Sequence, residues 1–412
     1  MQPKPKIIFI GDYSRTDYLH LLEEVKEHCE FFLLHYASPK EEKNKDYKRF
    51  GKAIYWKDFK SAFSLLSFIK PQKVVFLYID TYYQLVLNLA CKHSNIPTFH
   101  LEHGLRADYD IAFDIKISPQ LHKKPFQKIR DYSTLLQKLK ARLKARKFLN
   151  KSIKELPEEE EFIRSYIEVR RNHNYLDSFK RFPTDKRVAD TYISFSPKVF
   201  ETHQKHDYLP QEHRVYFIGV PYFDAFHYSQ ALSIQKAILF IDQPLAEHRL
   251  LNWTPAYKEA FVRQLVKMCS LHNYRLYIKP HPIQNVKPWL EQNAKETTLL
   301  TNEQLLASCK SFPIIMGFYS TYLMPFAALE HTTLLTYENH PAGNFLVSKP
   351  FVDAGVAHPV YDLNELHEIL PNIEKLHQKQ LPNKKKFEED WLYKFDGKAG
   401  ARLRDILLSD NL

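Results

Sequence analysis

Glycine is scarce in this chain. Nine glycines serve 412 residues, against a usual share of about 7%, so a glycine here answers a specific backbone need. Cysteine is sparse too. Cys29, Cys91, Cys269 and Cys309 lie far apart, without zinc or redox spacing, and read as reduced core thiols. No stretch approaches the roughly 18 apolar residues of a membrane-spanning helix. Met1-Gln-Pro-Lys leads into a strand rather than a signal peptide. These absences predict a soluble, cytoplasmic protein. The first strand-to-helix loop lacks G-x-G-x-x-G, which removes the NAD-type fingerprint. No group of His, Asp and Glu has credible metal spacing. Asp108-Tyr109-Asp110 matches a metal-binding D-x-D, but three residues are a weak pattern. Neither a metal nor a cofactor is expected.

Apolar residues are plentiful. A hydrophobic share of 44% and an aromatic share of 14% exclude global disorder. The length suits two α/β domains of about 150–200 residues each. Net charge is +11, which predicts an anionic partner: nucleotide, acidic glycan, phospholipid surface or nucleic acid.

Strand-like and helix-like stretches alternate. Lys6–Ile10, Glu30–His35, Ala53–Trp56, Val74–Ile79 and Pro97–Leu101 read as strands, with helices at Leu19–His28, Ser61–Ile69 and Tyr83–His93. That rhythm predicts a parallel, doubly wound sheet. Asp190–Phe195 and Val215–Ile218 continue it. A linker near Ser229–Gln235 precedes a second domain, with strands at Lys236–Ile241, Leu276–Ile278, Thr298–Leu300, Pro313–Met316 and Thr332–Thr336. The expected organisation is an N-terminal Rossmann-like domain over 1–230 and a second Rossmann-like domain over 236–388. A helix over 389–412 would cross back to the first domain.

Between about 117 and 176 the composition shifts. Lysines and arginines from Lys123 to Lys147 crowd a helical stretch, with Tyr132, Leu136, Leu139 and Leu143 on one side. Glu158–Glu161 open a second helix. A basic helical hairpin inserted in the first domain is predicted. Its charge reads as an ordinary solvated face, or as a surface for anionic lipid or an acidic acceptor. Nucleic acid is not expected, because aromatic residues are not interleaved with the basic ones.

Polar clusters recur at the carboxyl ends of the strands, where open α/β sheets bind ligands. In the first half they are Gly11/Asp12/Ser14/Arg15 and Glu102/His103/Gly104/Arg106. In the second they are Asp242/Gln243, Lys279/His281/Pro282 and Gly317/Tyr319/Ser320/Thr321. Pro280 and Pro282 fix the backbone on both sides of His281 and donate nothing. Ser320-Thr321 precede a helix start, where hydroxyls and amides suit an anion as well as an ordinary N-cap. Lys279 and His281 add positive charge for a phosphate. A base is needed to deprotonate an attacking sugar hydroxyl. Glu102 is the first candidate and His103 the second.

Phe240-Ile-Asp-Gln-Pro-Leu245, Tyr277-Ile-Lys-Pro-His-Pro282 and Gly317-Phe-Tyr-Ser-Thr321 together resemble bacterial sialyltransferases. The closest pattern is glycosyltransferase family 52 and the capsular polysialyltransferases, which share the GT-B fold: two Rossmann-like domains facing across a cleft. The likeness covers roughly 236–337 by motif and the first half by architecture. It implies that His281, Ser320 and Thr321 contact the CMP phosphate. It also implies that an acidic D/E-D/E-G motif, here Glu102-His103-Gly104 with histidine in the middle, supplies the base. Glu247 is a further candidate for that role. Asp242, Gln243, Lys279, Pro282, Gly317, Tyr319, Gly11 and Asp12 are assigned to the donor, and Ser14, Arg15 and Arg106 to the acceptor or the sugar carboxylate.

The expected function is metal-independent transfer of a sialic or related nonulosonic acid from a CMP-sugar to a lipooligosaccharide or capsular glycan. It would act at the inner face of the cytoplasmic membrane. A second resemblance is to CDP-glycerol polyol-phosphate transferases, which also carry a lysine-rich H-P strand. From another class comes a non-catalytic basic protein that binds RNA or an acidic polymer.

Overall fold

The computed structural model describes residues 3–13, 15–35, 45–105, 132–173, 175–228, 236–293 and 295–409. The chain divides into two compact units. Among the described residues, the first takes those up to 105, those from 132 to 222, and those from 398 on. The second takes 223–397. The division therefore falls a few residues before the expected linker, whose residues 229–235 lie outside the described ones.

The first unit is built on β1 (Lys6–Ile10), β2 (Glu30–His35), β3 (Lys52–Tyr55), β4 (Lys73–Phe76), β5 (Thr98–Leu101), β6 (Thr191–Ser194) and β7 (Val215–Phe217). They form one sheet in the order β3-β2-β1-β4-β5-β6-β7, and every pair is parallel. Continuous apolar runs such as Ile7-Ile8-Phe9-Ile10 are buried throughout, as a sheet covered on both faces requires. Helices start where hydroxyls cap them: Ser61 before Ala62–Ile69 and Thr81 before Tyr82–His93, each as a capping box.

Three expectations change here. Leu19–His28 is a short helix (Thr16–Leu19) running into a 3₁₀ turn (His20–Leu22) and further turns, its amides bonding three residues back. The inserted helix Tyr132–Lys154 buries Ala145, Phe148, Leu149 and Ile153, whereas Leu143 is 59% exposed, so the core stripe is rotated from the expected one. The supposed terminal helix is confined to Ala399–Leu408, after a turn at Glu388–Leu392.

The second unit contains β8 (Ala237–Ile241), β9 (Arg275–Lys279), β10 (Thr297–Leu299), β11 (Ile314–Gly317) and β12 (Thr333–Tyr337). A small hairpin of β13 (Asn339–His340) and β14 (Gly343–Asn344) follows, then β15 (Ala357–Val360). The main sheet runs β10-β9-β8-β11-β12-β15, all parallel. β15 went unrecognised because Pro359 interrupts its pattern; as an edge strand it tolerates a proline. Helix Pro255–Leu271, capped by Thr254, lays Phe261, Val262, Leu265 and Val266 into a core shared with Phe240, Trp253, Trp289 and Phe318.

Candidate active site

In the second unit, Ile241, Lys279 and Gly317 lie in register across β8, β9 and β11, so the three chain ends emerge side by side. A β-carbon at Gly317 would come 2.8 Å from the Ile241 carbonyl oxygen; only glycine lets the strands approach there. Asp242 is buried, and burial raises its pKa against the pull of Lys258. Its two oxygens accept from the Gln243 amide at 2.8 Å and from Trp289 Nε1 at 2.8 Å. Asp242 is thus a brace beneath the loop.

Gln243 reaches sideways and donates to Ser320 Oγ at 2.7 Å. Ser320 Oγ also accepts from the Tyr322 amide at 3.2 Å. With both lone pairs engaged, the hydroxyl keeps its proton to donate. His281 is half-buried. Its Nδ1 accepts a long bond, 3.4 Å, from the Ile283 amide, which puts the ring proton on Nε2. Lys279 donates to the Pro280 carbonyl at 2.7 Å and lies 5.6 Å from the Tyr322 ring centroid. The edge therefore carries hydroxyl, imidazole and ammonium donors, which suits an anion.

The expected helix after Ser320 begins as a 3₁₀ turn, Thr321–Leu323, and continues only through Met324–Ala328. Its dipole is short, so these side chains carry more of the charge. Pro282 is exposed, and Tyr319 packs on Phe351 with ring centroids 5.3 Å apart.

Sequence reading missed Gln284. Its Oε1 accepts from the His281 amide at 2.9 Å and its Nε2 donates to the Gln243 carbonyl at 2.8 Å, so one amide ties two loops together. Its position three residues after His281 was the available signal. Glu247 accepts from Lys258 Nζ at 2.9 Å and from the Asn285 amide at 2.8 Å. Burial is the largest influence and would raise this carboxyl; the bond from Lys258, the backbone amides and the Lys258 charge together overcome it and lower the pKa. Glu247 braces the loop rather than standing ready as a base.

In the first unit, Gly11 and exposed Asp12 follow β1, and Arg15 lies over the Tyr18 ring at 4.2 Å. The Tyr18 ring meets His103 at 4.8 Å and Tyr78 meets it at 6.1 Å. Tyr222 donates to the His103 carbonyl at 3.2 Å. Asp12, Arg15 and His103 thus gather at one sheet edge. Ser14, Arg106 and Asp108-Tyr109-Asp110 lie outside the described residues.

Glu102 continues β5, its amide bonded to Ile193 O at 2.9 Å, and is 1% exposed. Oε1 accepts from the amides of His103 (3.1 Å) and Gly104 (3.3 Å), while Oε2 lies 2.5 Å from His203 Nε2. Burial pushes its pKa up, but His203 outweighs that by charge and hydrogen bond, with His103 and His100 adding, and holds it at about 2. A carboxylate so placed is a poor proton acceptor. The half-buried His103 beside it is better suited.

Two parallel-sheet Rossmann-like units define the class of fold, that of the GT-B glycosyltransferases. The fold is similar to that of CalG4, the calicheamicin glycosyltransferase (TM-score 0.52, 10% identity, covering 99% of this chain and 98% of that one). It is also similar to the spinosyn forosaminyltransferase SpnP (0.51, 11%, 99% and 100%) and to a wall teichoic acid polymerase TagF soaked with CDPG (0.50, 13%, 99% and 89%). The chain belongs to the alpha-2,8-polysialyltransferase (POLYST) family, which it matches over residues 6–338. This is one of the two groups that the motifs resemble. No curated protein matches.

Proposed function

We propose that this glycosyltransferase moves a sialic acid from CMP-sialic acid to a hydroxyl of a sialylated surface glycan. The observation that carries the reading is the row of proton donors at the ends of β8, β9 and β11: Ser320 Oγ–H, His281 Nε2–H and the Lys279 ammonium. These suit a departing phosphate. As the anomeric carbon–oxygen bond breaks, its electron pair goes to CMP, and hydrogen-bond donors placed at that oxygen would lower the barrier. The acceptor hydroxyl forms the new bond and gives its proton to His103. Glu102 holds the loop and stays ionised beside it.

The exposed face of the inserted helix, Lys144, Arg146, Lys147, Lys151 and Lys154, supports peripheral contact with an anionic membrane. No helix among the described residues is long and apolar enough to cross one.

The test measures CMP release from a panel of CMP-sugars, with CDP-glycerol as the contrasting donor. CMP-sialic acid should be turned over, and His281→Ala should lower kcat about 10²–10³-fold while the fold is kept. Turnover of the variant within twofold of wild type removes His281 from the mechanism. Preference for CDP-glycerol replaces the donor.

A further inference from the structure

Beneath the loop that carries His103 lies a row of alternating acidic and basic side chains. His203, on the helix Pro197–His206, faces Glu102 Oε2 through Nε2 at 2.5 Å and Asp207 Oδ2 through Nδ1 at 3.3 Å. Arg187 Nη2 donates to Asp207 Oδ1 at 2.8 Å, and the Tyr192 hydroxyl donates to Oδ2 at 3.0 Å. The side chains of His203, Glu102, Asp207 and Arg187 are all 4% exposed or less. Ionised carboxylates only accept, so an imidazole held between two of them in that state donates from both nitrogens.

We propose that His203 and Asp207 are positioning residues: with Glu102 they form a carboxylate–imidazolium–carboxylate relay that keeps Glu102 charged and fixes the backbone carrying His103. The inference rests on the function proposed above. The relay ends on that backbone, because Glu102 Oε1 takes the amides of His103 and Gly104. A brace needed only for stability gains little from four buried charges, since apolar residues of similar volume commonly serve as well. The titratable groups that face Glu102 are His203 from its helix, His100 from β5 and His103 from its own loop. Each favours the ionised carboxyl, and His203 contributes most among them. Without His203, burial raises the Glu102 carboxyl toward neutral pH.

The experiment uses the full chain, CMP-sialic acid and an α2,8-linked oligosialic acid acceptor, with pH profiles of wild type, His203→Phe and His203→Gln. The relay predicts that His203→Phe lowers kcat about 10²-fold and moves the acid limb of kcat/KM to higher pH. The donor KM and the calorimetric Kd for CMP should stay within about twofold, and Gln, which can still donate to Glu102, should recover part of the loss. An unchanged limb and kcat with only a lower Tm make the row a mere scaffold and overturn the proposal. Should His203→Phe fail to fold, nitrogen NMR of the wild-type imidazoles decides. A His203 ring protonated on both nitrogens at pH 8 upholds the relay, and a neutral ring ends it. Full activity in His103→Asn sinks the base assigned under the proposed function and leaves the His203 NMR result standing, so the two failures are distinguishable.

Discussion

Gln284 shows how much of the second unit's edge depends on one uncharged side chain. Its two hydrogen bonds join the His281 loop to the Gln243 loop, and Gln243 in turn holds Ser320. Gln284→Ala removes both bonds at a cost of about 1–3 kcal/mol. The expected outcome is weaker CMP binding by calorimetry, with kcat less affected than the donor KM. Unchanged CMP affinity would show that the loops hold themselves. His281, Lys279 and Ser320 were legible in the sequence because prolines, a lysine and a hydroxyl pair mark a strand end. Gln284, His203 and Asp207 were not. Glu102 and His203 are separated by 101 positions, and nothing local ties them; only the β5–β6 pairing and the following helix bring them together. The polar strand end at Glu102 was legible, but its burial was not.

At the scale of elements, strands were read well wherever an apolar run is buried on both faces, as in β1, β4, β8 and β11. The pattern fails for β15, whose Ala-His-Pro-Val carries no alternation, and for short turns where several weak signals compete. One element holds a liability. Lys384, on the short helix Lys384–Phe387, is fully buried and donates to Ala327 O at 3.2 Å and Thr332 Oγ1 at 3.4 Å. Burial lowers its pKa from 10.5 to about 8. Between those values the unfolded chain still binds the proton and the native one does not, so stability should rise with pH from about 8 to 10.5. Below pH 8 the full penalty of a buried charge is present. Lys384→Met should flatten that slope and raise Tm at pH 7; urea melts across the range check both. A Tm drop on substitution would mean that the two bonds outweigh the desolvation.

Across the whole molecule, charge is distributed unevenly. The net +11 includes the exposed Lys144, Arg146, Lys147, Lys151 and Lys154 on one inserted helix. The other side of that helix, through Phe148, Ser152 and Ile153, is packed into the first unit, with Ser152 Oγ accepting the Ala62 amide at 2.9 Å. The helix is therefore both an ordinary core element and a cationic face. Sedimentation with phosphatidylserine vesicles should be strong at low salt and fade as ionic strength rises, at about 1 kcal/mol per basic residue. Replacing Lys144, Lys147 and Lys151 with Gln should weaken it. Equal binding to neutral vesicles would contradict the electrostatic account.

The last helix has a consequence for how the chain is made. The first unit's Lys73 donates to the carbonyls of Leu407 at 2.8 Å and Ser409 at 2.6 Å, residues synthesised more than three hundred positions later. Everything from 223 to 397 leaves the ribosome in between. The second unit's sheet can finish assembling while the other still waits, one lysine uncapped, for its closing piece. The half begun first cannot be completed until its C-terminal segment has been made.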